Sequence, residues 1–277
     1  MQAPALHVVS EPLLRADGVT IDYKGDRGAS VRAVHQVSFD VYRGERFVLL
    51  GPSGCGKSTL LKAIGGFIAP SAGVLTLGGK AIVKPGPDRV VVFQEFDQLP
   101  PWKTVKANVM FPMLATGVKR ADAEQRALNW LERVGLARFA DAYPHTLSGG
   151  MKARVAIARA LAMQPDVLLM DEPFAALDAL TRRQMQEELQ ALWEEHRFTM
   201  LFVTHSIEEA LVVGNRILLL SPHPGRVRAE IGSGQFNLAS SGGEAFQEAA
   251  ARIHRLLFGH APQASDAVHA AVCKVKS

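Results

Sequence analysis

One nine-residue segment constrains the fold of this chain more than any other feature. Residues 51–59 read Gly-Pro-Ser-Gly-Cys-Gly-Lys-Ser-Thr and match the pattern G-x-x-x-x-G-K-[ST]. The apolar run Arg46–Leu50 predicts a buried parallel strand directly before the segment, and Thr59–Ile64 predicts a helix after it. A strand, a glycine-rich turn and a helix in this order predict a phosphate-binding loop in an α/β sheet.

The residue types in this loop suit a nucleotide. Glycines let the backbone approach a phosphate, so that successive N–H groups converge on the anion, and the helix N-terminus adds partial positive charge. We expect Lys57 to reach the β- and γ-phosphates and Ser58 to offer its hydroxyl to Mg²⁺. Cys55 either simply fits the loop or, beside a lysine, has its thiolate favoured. The predicted nucleotide-binding residues are Gly51, Pro52, Ser53, Gly54, Cys55, Gly56, Lys57, Ser58 and Thr59.

A second apolar strand ends in two carboxylates. Residues 167–172 read Val-Leu-Leu-Met-Asp-Glu. Because ligands collect at the carboxyl ends of parallel strands, Asp171 is placed to hold Mg²⁺ through water and Glu172 to polarise an attacking water. The alternative is a pair of capping or loop carboxylates, which the phosphate-binding loop in the same sheet disfavours.

Three further polar sites have two interpretations each from the residues alone. Gln94 ends the strand at 90–94, where its amide either coordinates Mg²⁺ or positions water, or is merely solvated. His205 ends the strand at 200–204 and either binds a γ-phosphate or has a structural role. The turn Ser148-Gly149-Gly150 either binds an anion at a helix N-terminus or is a plain N-cap, and taken alone the N-cap is favoured.

The order of elements predicts an α/β fold. Short apolar runs alternate with helical patterns, such as 151–163 and 180–196, which predicts a parallel sheet with helices on both faces. Residues 13–42 alternate apolar and polar side chains and predict antiparallel strands, whereas 104–163 predict a helical insertion. A further helix is expected at Ser206, with Glu209 completing a capping box.

Composition excludes several classes of protein. The chain has 277 residues, of which 48% are hydrophobic and 21% charged, as in globular proteins. No hydrophobic run exceeds four residues, so we expect no membrane-spanning helix. The first fourteen residues carry no positive charge and no long apolar stretch, which predicts no secretory signal. Two cysteines cannot form a disulfide framework, which favours a reducing, cytosolic setting. The net charge of +4 mildly favours anionic partners.

Taken together, these motifs resemble those of the ATP-binding cassette (ABC) transporter ATPases over about residues 13–230. Each motif occurs once and in the family's order. The matching features are Tyr23 (the aromatic that stacks on adenine), Gly51–Thr59 (Walker A loop), Gln94 (Q-loop), Leu147–Met151 (signature motif), Val167–Glu172 (Walker B strand), Ala176–Asp178 (D-loop) and His205 (switch histidine). The resemblance implies the ABC ATPase fold: a P-loop NTPase core with a parallel sheet, an antiparallel β subdomain and a helical insertion.

The resemblance also implies a homodimer that hydrolyses ATP. Two cassettes in the family pack head to tail, so Ser148, Gly149 and Gly150 of one copy are expected to grip the γ-phosphate bound by the other copy. ATP binding would close this dimer and hydrolysis would release it.

The same resemblance assigns the catalytic and metal-binding residues. Glu172 would be the general base, His205 the γ-phosphate sensor and Gln94 the third catalytic residue. Mg²⁺ would be held by Ser58, Gln94 and Asp171. ATP and Mg²⁺ are therefore the expected cofactors.

The predicted organisation is that of a transporter subunit. We expect an ATPase domain at 13–232, with a helical subdomain at about 95–165, a Gly/Ser-rich linker at 233–243 and a C-terminal helix and loosely ordered tail at 244–277. Expected partners are a second copy, transmembrane permease subunits and a periplasmic or extracellular solute-binding protein, at the cytoplasmic face of the inner membrane. No nucleic acid is expected.

Within the family, several stretches resemble the importers of nitrate, sulfonate and taurine. These stretches are 99–105, 171–178, 204–210 and 221–226, together with Met151 in the signature motif. Met151, Ala153 and Ala175 depart from the commonest family pattern and remove no catalytic group. The alternative functions are a soluble ABC-type ATPase that acts on nucleic acid or ribosomes, and a subunit that senses ATP without cleaving it.

Overall fold

The computed structural model describes residues 11–24, 30–94 and 98–259. Within these ranges the chain forms ten strands and seven α-helices. The strands are β1 (Leu14–Lys24), β2 (Ser30–Val41), β3 (Arg46–Leu50), β4 (Ala72–Leu77), β5 (Lys80–Ala81), β6 (Arg89–Val92), β7 (Val167–Asp171), β8 (Thr199–Thr204), β9 (Arg216–Leu220) and β10 (Val227–Gly232). The helices are α1 (Lys57–Ile64), α2 (Val105–Ala115), α3 (Arg120–Arg133), α4 (Gly149–Ala162), α5 (Ala179–His196), α6 (Ile207–Val213) and α7 (Glu244–Phe258).

The central sheet has the strand order β10-β9-β3-β8-β7-β6. The five strands from β9 to β6 run parallel, and β10 joins the edge antiparallel. Every residue of β3, β7 and β8 is buried, which explains why these strands are continuous apolar runs in the sequence. The predicted parallel sheet is therefore confirmed.

The two faces of this sheet are covered by different layers. One face packs against α4, α5 and α6 in a single apolar cluster. The other face packs against α1 and against a second, antiparallel sheet of order β2-β1-β4-β5, whose Phe39 stacks on Phe47 of β3 at 5.1 Å between ring centroids. The antiparallel strands are confirmed, and helices lie on both faces of the central sheet as expected, although on one face α1 shares the layer with this second sheet.

The helical insertion lies between β6 and β7 and consists of α2, α3 and α4. Thr104 caps α2, where its hydroxyl accepts a hydrogen bond from the amide of Ala107. Helix α4 begins at Gly149, two residues earlier than the apolar pattern predicts, because Ser148 is the N-cap and both glycines have joined the first turn.

The segment after β10 is packed against the body of the protein. Ser233 is buried and donates a hydrogen bond to the carbonyl of Gly214, and Phe236 meets Phe246 of α7 edge to face. Helix α7, predicted at 244–258, is observed at those positions. The tail beyond 259 lies outside the described residues, and the division into domain, linker and tail stays a prediction. Within the described ranges no helix combines the length and the apolar character needed to cross a membrane.

Candidate nucleotide-binding and hydrolysis site

Four neighbouring strands bring the predicted site residues to the same edge of the central sheet. Strands β3, β8, β7 and β6 are parallel and adjacent, so their carboxyl ends lie side by side. Leu50 pairs with Thr204 and Asp171 pairs with Val203, which brings these strand ends level. The glycine-rich loop, His205, the acidic pair and Gln94 follow these four ends in that order across the sheet.

The glycine-rich loop requires its glycines for steric reasons. A Cβ atom on Gly51 would lie 2.8 Å from Cys55 Sγ and 2.9 Å from the carbonyl oxygen of Leu220. Gly56 has φ of 95°, and a Cβ there would lie 2.7 Å from the carbonyl oxygen of Ala33. The loop therefore turns too tightly for any larger residue at these two positions.

The ammonium group of Lys57 is held over this loop. Its Nζ donates hydrogen bonds to the carbonyls of Gly51 at 2.8 Å and Pro52 at 3.0 Å, and the residue is 4% exposed.

Cys55 is buried, and burial raises the pKa of its thiol, so the interpretation as a small residue that fits the loop is favoured over a reactive thiolate.

The first turn of α1 contacts the end of β7. Ser58 Oγ donates a hydrogen bond to Asp171 Oδ1 at 2.8 Å. Burial raises the pKa of the Asp171 carboxyl, and the Ser58 hydrogen bond opposes that rise. The two oxygens fit Mg²⁺, which takes hard oxygen donors and needs only one or two protein ligands beside phosphate. Among the described residues no group of three or more His, Cys, Asp and Glu side chains forms a separate metal site.

Glu172 and His205 are brought together from neighbouring strands. Nδ1 of His205 lies 2.8 Å from Oε2 of Glu172. Because a carboxylate only accepts hydrogen bonds, this contact places a proton on Nδ1. The Glu172 side chain is 17% exposed and that of His205 52%, so the histidine is open to a ligand.

The backbone of Glu172 is strained. Its φ of 46° lies in the left-handed region, which costs a non-glycine residue on the order of 1–3 kcal/mol. The Glu172 amide donates to the carbonyl of Val203 at 3.0 Å and helps to hold this conformation. Backbone strain at the acidic end of a strand is typical of a functional position.

Tyr23 and Gln94 lie at the borders of this edge. The Tyr23 hydroxyl donates to Thr59 Oγ1 at 3.1 Å, so the ring, which is exposed, stands beside the first turn of α1. Gln94 is exposed two residues after β6 ends at Val92. Their assignment to adenine and to Mg²⁺ or water stays a prediction.

The second glycine turn is on the helical insertion. Ser148 is exposed, and its Oγ accepts a hydrogen bond from the Met151 amide at 3.3 Å as an N-cap. In the described part of the chain no hydrogen bond joins Ser148, Gly149 or Gly150 to the glycine-rich loop. Within one copy, therefore, the turn is an N-cap, as the residues alone favour.

Sequence reasoning missed a residue that fixes the loop after Glu172. The guanidinium of Arg182 on α5 donates to the carbonyls of Phe174, Ala175 and Leu177 at 3.2, 3.3 and 2.9 Å. Asp178 caps the same helix, and hydrogen bonds from its first turn lower the pKa of this carboxyl. No sequence signal marks Arg182, because its partners are backbone atoms.

The predicted capping box at α6 is only half formed. Ser206 Oγ accepts a hydrogen bond from the amide of Glu209, as expected. The Glu209 carboxylate, however, does not return to the Ser206 amide, which donates to Thr204 Oγ1 instead. The carboxylate binds two other side chains, Gln186 and Thr204, and is buried with them.

The fold and this edge define a P-loop nucleotide-binding protein with an acidic strand end and a histidine beside the loop. The profile of the family described as ABC transporter matches residues 34–175. The chain is 52% identical over 217 residues to the taurine import ATP-binding protein TauB of Rhizobium johnstonii, a match that covers 78% of this chain and 82% of that protein. The TauB protein of Yersinia pestis bv. Antiqua is 46% identical over 215 residues, with 78% and 82% covered. This chain belongs to the ABC transporter family and is an ATP-binding ATPase.

Solved cassette structures agree with the fold. The cassette MJ0796, solved as a dimer in a post-hydrolysis state with ADP and Pi, has a TM-score of 0.68 and 34% identity, covering 79% of this chain and 98% of that chain. CbiO1 of Clostridium perfringens, part of the ABC transporter complex CbiONQ, has a TM-score of 0.72 and 27% identity, covering 90% and 97%. The predicted ABC ATPase fold is confirmed.

Proposed function

We propose that this chain is the ATP-hydrolysing subunit of an importer for taurine or a similar small solute, with nitrate and other sulfonates as related candidates. The identity of 52% to a taurine import ATP-binding protein is the observation that carries the choice of solute class. The proximity of Glu172 and His205 at the sheet edge that carries the glycine-rich loop supports the choice of reaction.

The glycine-rich loop binds the phosphates of ATP. Its backbone amides and the α1 N-terminus face the anion, and Lys57 exchanges its carbonyl partners for the β- and γ-phosphate oxygens. Ser58 and Asp171, with Gln94 two residues beyond β6, would hold Mg²⁺, which when bound would neutralise charge on the phosphates. Tyr23, beside Thr59, stacks on the adenine.

Glu172 is the general base for hydrolysis. Its carboxylate accepts a proton from the attacking water, whose oxygen forms the new bond to the γ-phosphorus as the bond to the β-phosphate oxygen breaks. His205 donates its Nδ1 proton to Glu172, and when the imidazole carries a second proton, on Nε2, that N–H donates to a γ-phosphate oxygen. The histidine thereby orients the base and detects the terminal phosphate.

A second copy completes the site. Ser148, which is exposed, forms with Gly149 and Gly150 a helix N-terminus on the insertion, which suits a γ-phosphate held by the other copy. The cassette MJ0796, which resembles this chain, is described as dimeric. ATP between the loop of one copy and the Ser148 turn of the other links two rigid bodies until hydrolysis removes that link.

The remaining partners are permease subunits and an external solute-binding protein. We place the chain at the cytoplasmic face of the membrane, where a short permease helix contacts the Gln94 loop and the helical insertion. The similarity to CbiO1, which is part of an ABC transporter complex, supports assembly of this chain into a transporter complex.

Reconstitution tests the proposal. The chain is assembled in liposomes with the permease and solute-binding protein expected in the neighbouring reading frames, and ATP hydrolysis is measured with and without taurine, nitrate and an alkanesulfonate. We expect one of these solutes to stimulate hydrolysis and to be transported, and the Glu172→Gln complex to do neither. Hydrolysis that ignores all three solutes, combined with salt-sensitive binding of the chain to RNA or DNA, would support the nucleic-acid alternative.

A further inference from the structure

A cluster of three buried polar side chains lies directly behind the predicted switch histidine. We call Thr204, Gln186 and Glu209 the Glu209 cluster; their exposures are 1%, 7% and 8%. Glu209 Oε1 accepts a hydrogen bond from Gln186 Nε2 at 3.0 Å, and Oε2 accepts one from the Thr204 hydroxyl. The three residues come from α6, α5 and the end of β8.

The chemistry of the cluster makes Glu209 its centre. A buried carboxylate is costly unless donors satisfy it, and here each oxygen has one donor. The Thr204 hydroxyl donates to Glu209 and accepts from the amide of Ser206 at 3.0 Å. Thr204 and Ser206 are the two neighbours of His205, so the carboxylate fixes the backbone on both sides of the histidine.

Helix α5 connects this cluster to the loop that follows Glu172. Gln186 is one helical turn beyond Arg182, and residues four apart lie on the same face of a helix. Arg182 binds three carbonyls between Glu172 and Asp178. On one face of α5, Arg182 therefore holds the segment that follows Glu172, and Gln186 holds the segment that carries His205.

We propose that Glu209 is a positioning residue for ATP hydrolysis. Through Thr204, Glu209 sets the orientation of His205 relative to Glu172. Through Gln186, it ties the segment that carries His205 to α5. This inference rests on the role of His205 in the proposed function. Glu209 itself touches neither nucleotide nor water in this mechanism. Its contribution is the geometry of the contact between His205 and Glu172.

An exchange of the two partners tests the link between α5 and α6. In Gln186→Glu two carboxylates would face each other, whereas the double variant Gln186→Glu/Glu209→Gln restores one carboxylate and one amide with their positions exchanged. We expect Gln186→Glu and Glu209→Ala each to lower kcat for ATP roughly tenfold with KM unchanged. The exchanged pair should recover kcat to within about threefold of wild type.

Glu208→Ala is the matched control, because Glu208 is the preceding residue on the same helix and is exposed. We expect it to leave kcat and the unfolding temperature unchanged. Thr204→Val removes the hydroxyl that donates to Glu209 and accepts from the Ser206 amide. It carries the same expectation as Glu209→Ala and replaces it if that variant does not fold.

A His205→Ala background separates positioning from general stability. If Glu209 acts through His205, adding Glu209→Ala to His205→Ala should lower single-turnover hydrolysis by less than about twofold further. A second tenfold loss in that background, wild-type kcat in Glu209→Ala and Thr204→Val, or no recovery in the exchanged pair would overturn the inference while the role of His205 stands. Wild-type turnover in His205→Ala would instead overturn the proposed role of the histidine.

Discussion

Ser58 donates a 2.8 Å hydrogen bond to Asp171, a residue 113 positions later in the chain. This contact joins the first turn of α1 to the end of β7, although another strand, β8, lies between β3 and β7 in the sheet. The loop that binds phosphate and the strand end that carries the acidic pair are thereby held as one unit.

Replacement of Lys57 by alanine should abolish nucleotide binding. Its buried ammonium supplies the positive charge of the glycine-rich loop, and the alanine variant leaves the β- and γ-phosphates without that charge. We expect the affinity for ATP to fall by at least about 100-fold, measured by isothermal titration calorimetry. Lys84→Ala, at an exposed lysine, serves as control. Wild-type affinity in the Lys57 variant would contradict the assignment.

Replacement of Glu172 by glutamine should separate binding from hydrolysis. Glutamine has the same shape but cannot accept the proton of the attacking water, so we expect hydrolysis to fall roughly 10²- to 10⁴-fold. ATP affinity should remain, and an ATP-bound dimer should accumulate, detected by light scattering after chromatography in ATP. Full turnover in this variant would exclude Glu172 as the base, and a monomer with bound ATP would count against the two-copy site.

Replacement of Asp171 by asparagine should stabilise the protein and inactivate it. Burial raises the folded-state pKa of Asp171, so the folded protein holds this proton more tightly than the unfolded chain does. The free energy of unfolding therefore decreases as pH rises from the pKa of Asp171 in the unfolded chain to its higher pKa in the folded protein. Above the folded-state pKa this loss of stability remains. Asparagine keeps an acceptor for Ser58 and removes the charge.

We expect the Asp171→Asn variant to gain roughly 1 kcal/mol in free energy of unfolding at neutral pH. The gain should shrink as pH falls to about 4, near the ordinary carboxyl pKa. Urea unfolding of both proteins across this range, with a chelator present, measures the difference. Asp17→Asn changes an exposed carboxylate and should shift stability by less than about 0.5 kcal/mol. An equal gain at both ends of the range would contradict the titration of Asp171.

Truncation of Ile253 should destabilise the protein, although this residue lies outside the matched family profile. Ile253 on α7 has no exposed surface and packs into the same apolar cluster as α6. We expect Ile253→Ala to cost about 2–5 kcal/mol, measured by urea unfolding, since a cavity replaces the lost side chain. Glu248→Ala, on the exposed face of the same helix, should be near neutral. A neutral Ile253 variant would mean that α7 contributes little to the stability of the core.

Local patterns in the sequence were sufficient to predict most of the strands and helices. The apolar runs before residues 51 and 171 became β3 and β7, because strands buried on both faces need apolar side chains at every position. The glycine-rich loop was also predictable, because the steric demands of its tight turn act over only a few residues. Helix α4 began earlier than its apolar pattern, because an N-cap depends on Ser148 and not on hydrophobic periodicity.

Other features depend on packing that no local pattern records. The sequence places Glu208 and Glu209 side by side with equal chemistry, yet Glu208 is exposed and Glu209 is buried against Gln186 and Thr204. The same capping pattern is compatible with a carboxylate that turns back to its own helix. The direction that the carboxylate takes is set by α5, whose position beside α6 is a tertiary property.

By itself the sequence determined the chemical groups of the site and the elements that carry them, since motifs and periodicity express short-range backbone and solvation preferences. Only the tertiary structure decided which strand ends became neighbours, and so placed Glu172 against His205 and Ser58 against Asp171. The physical reason is that the strand order must bury both faces of the whole sheet at the same time, so it depends on the packing of every layer.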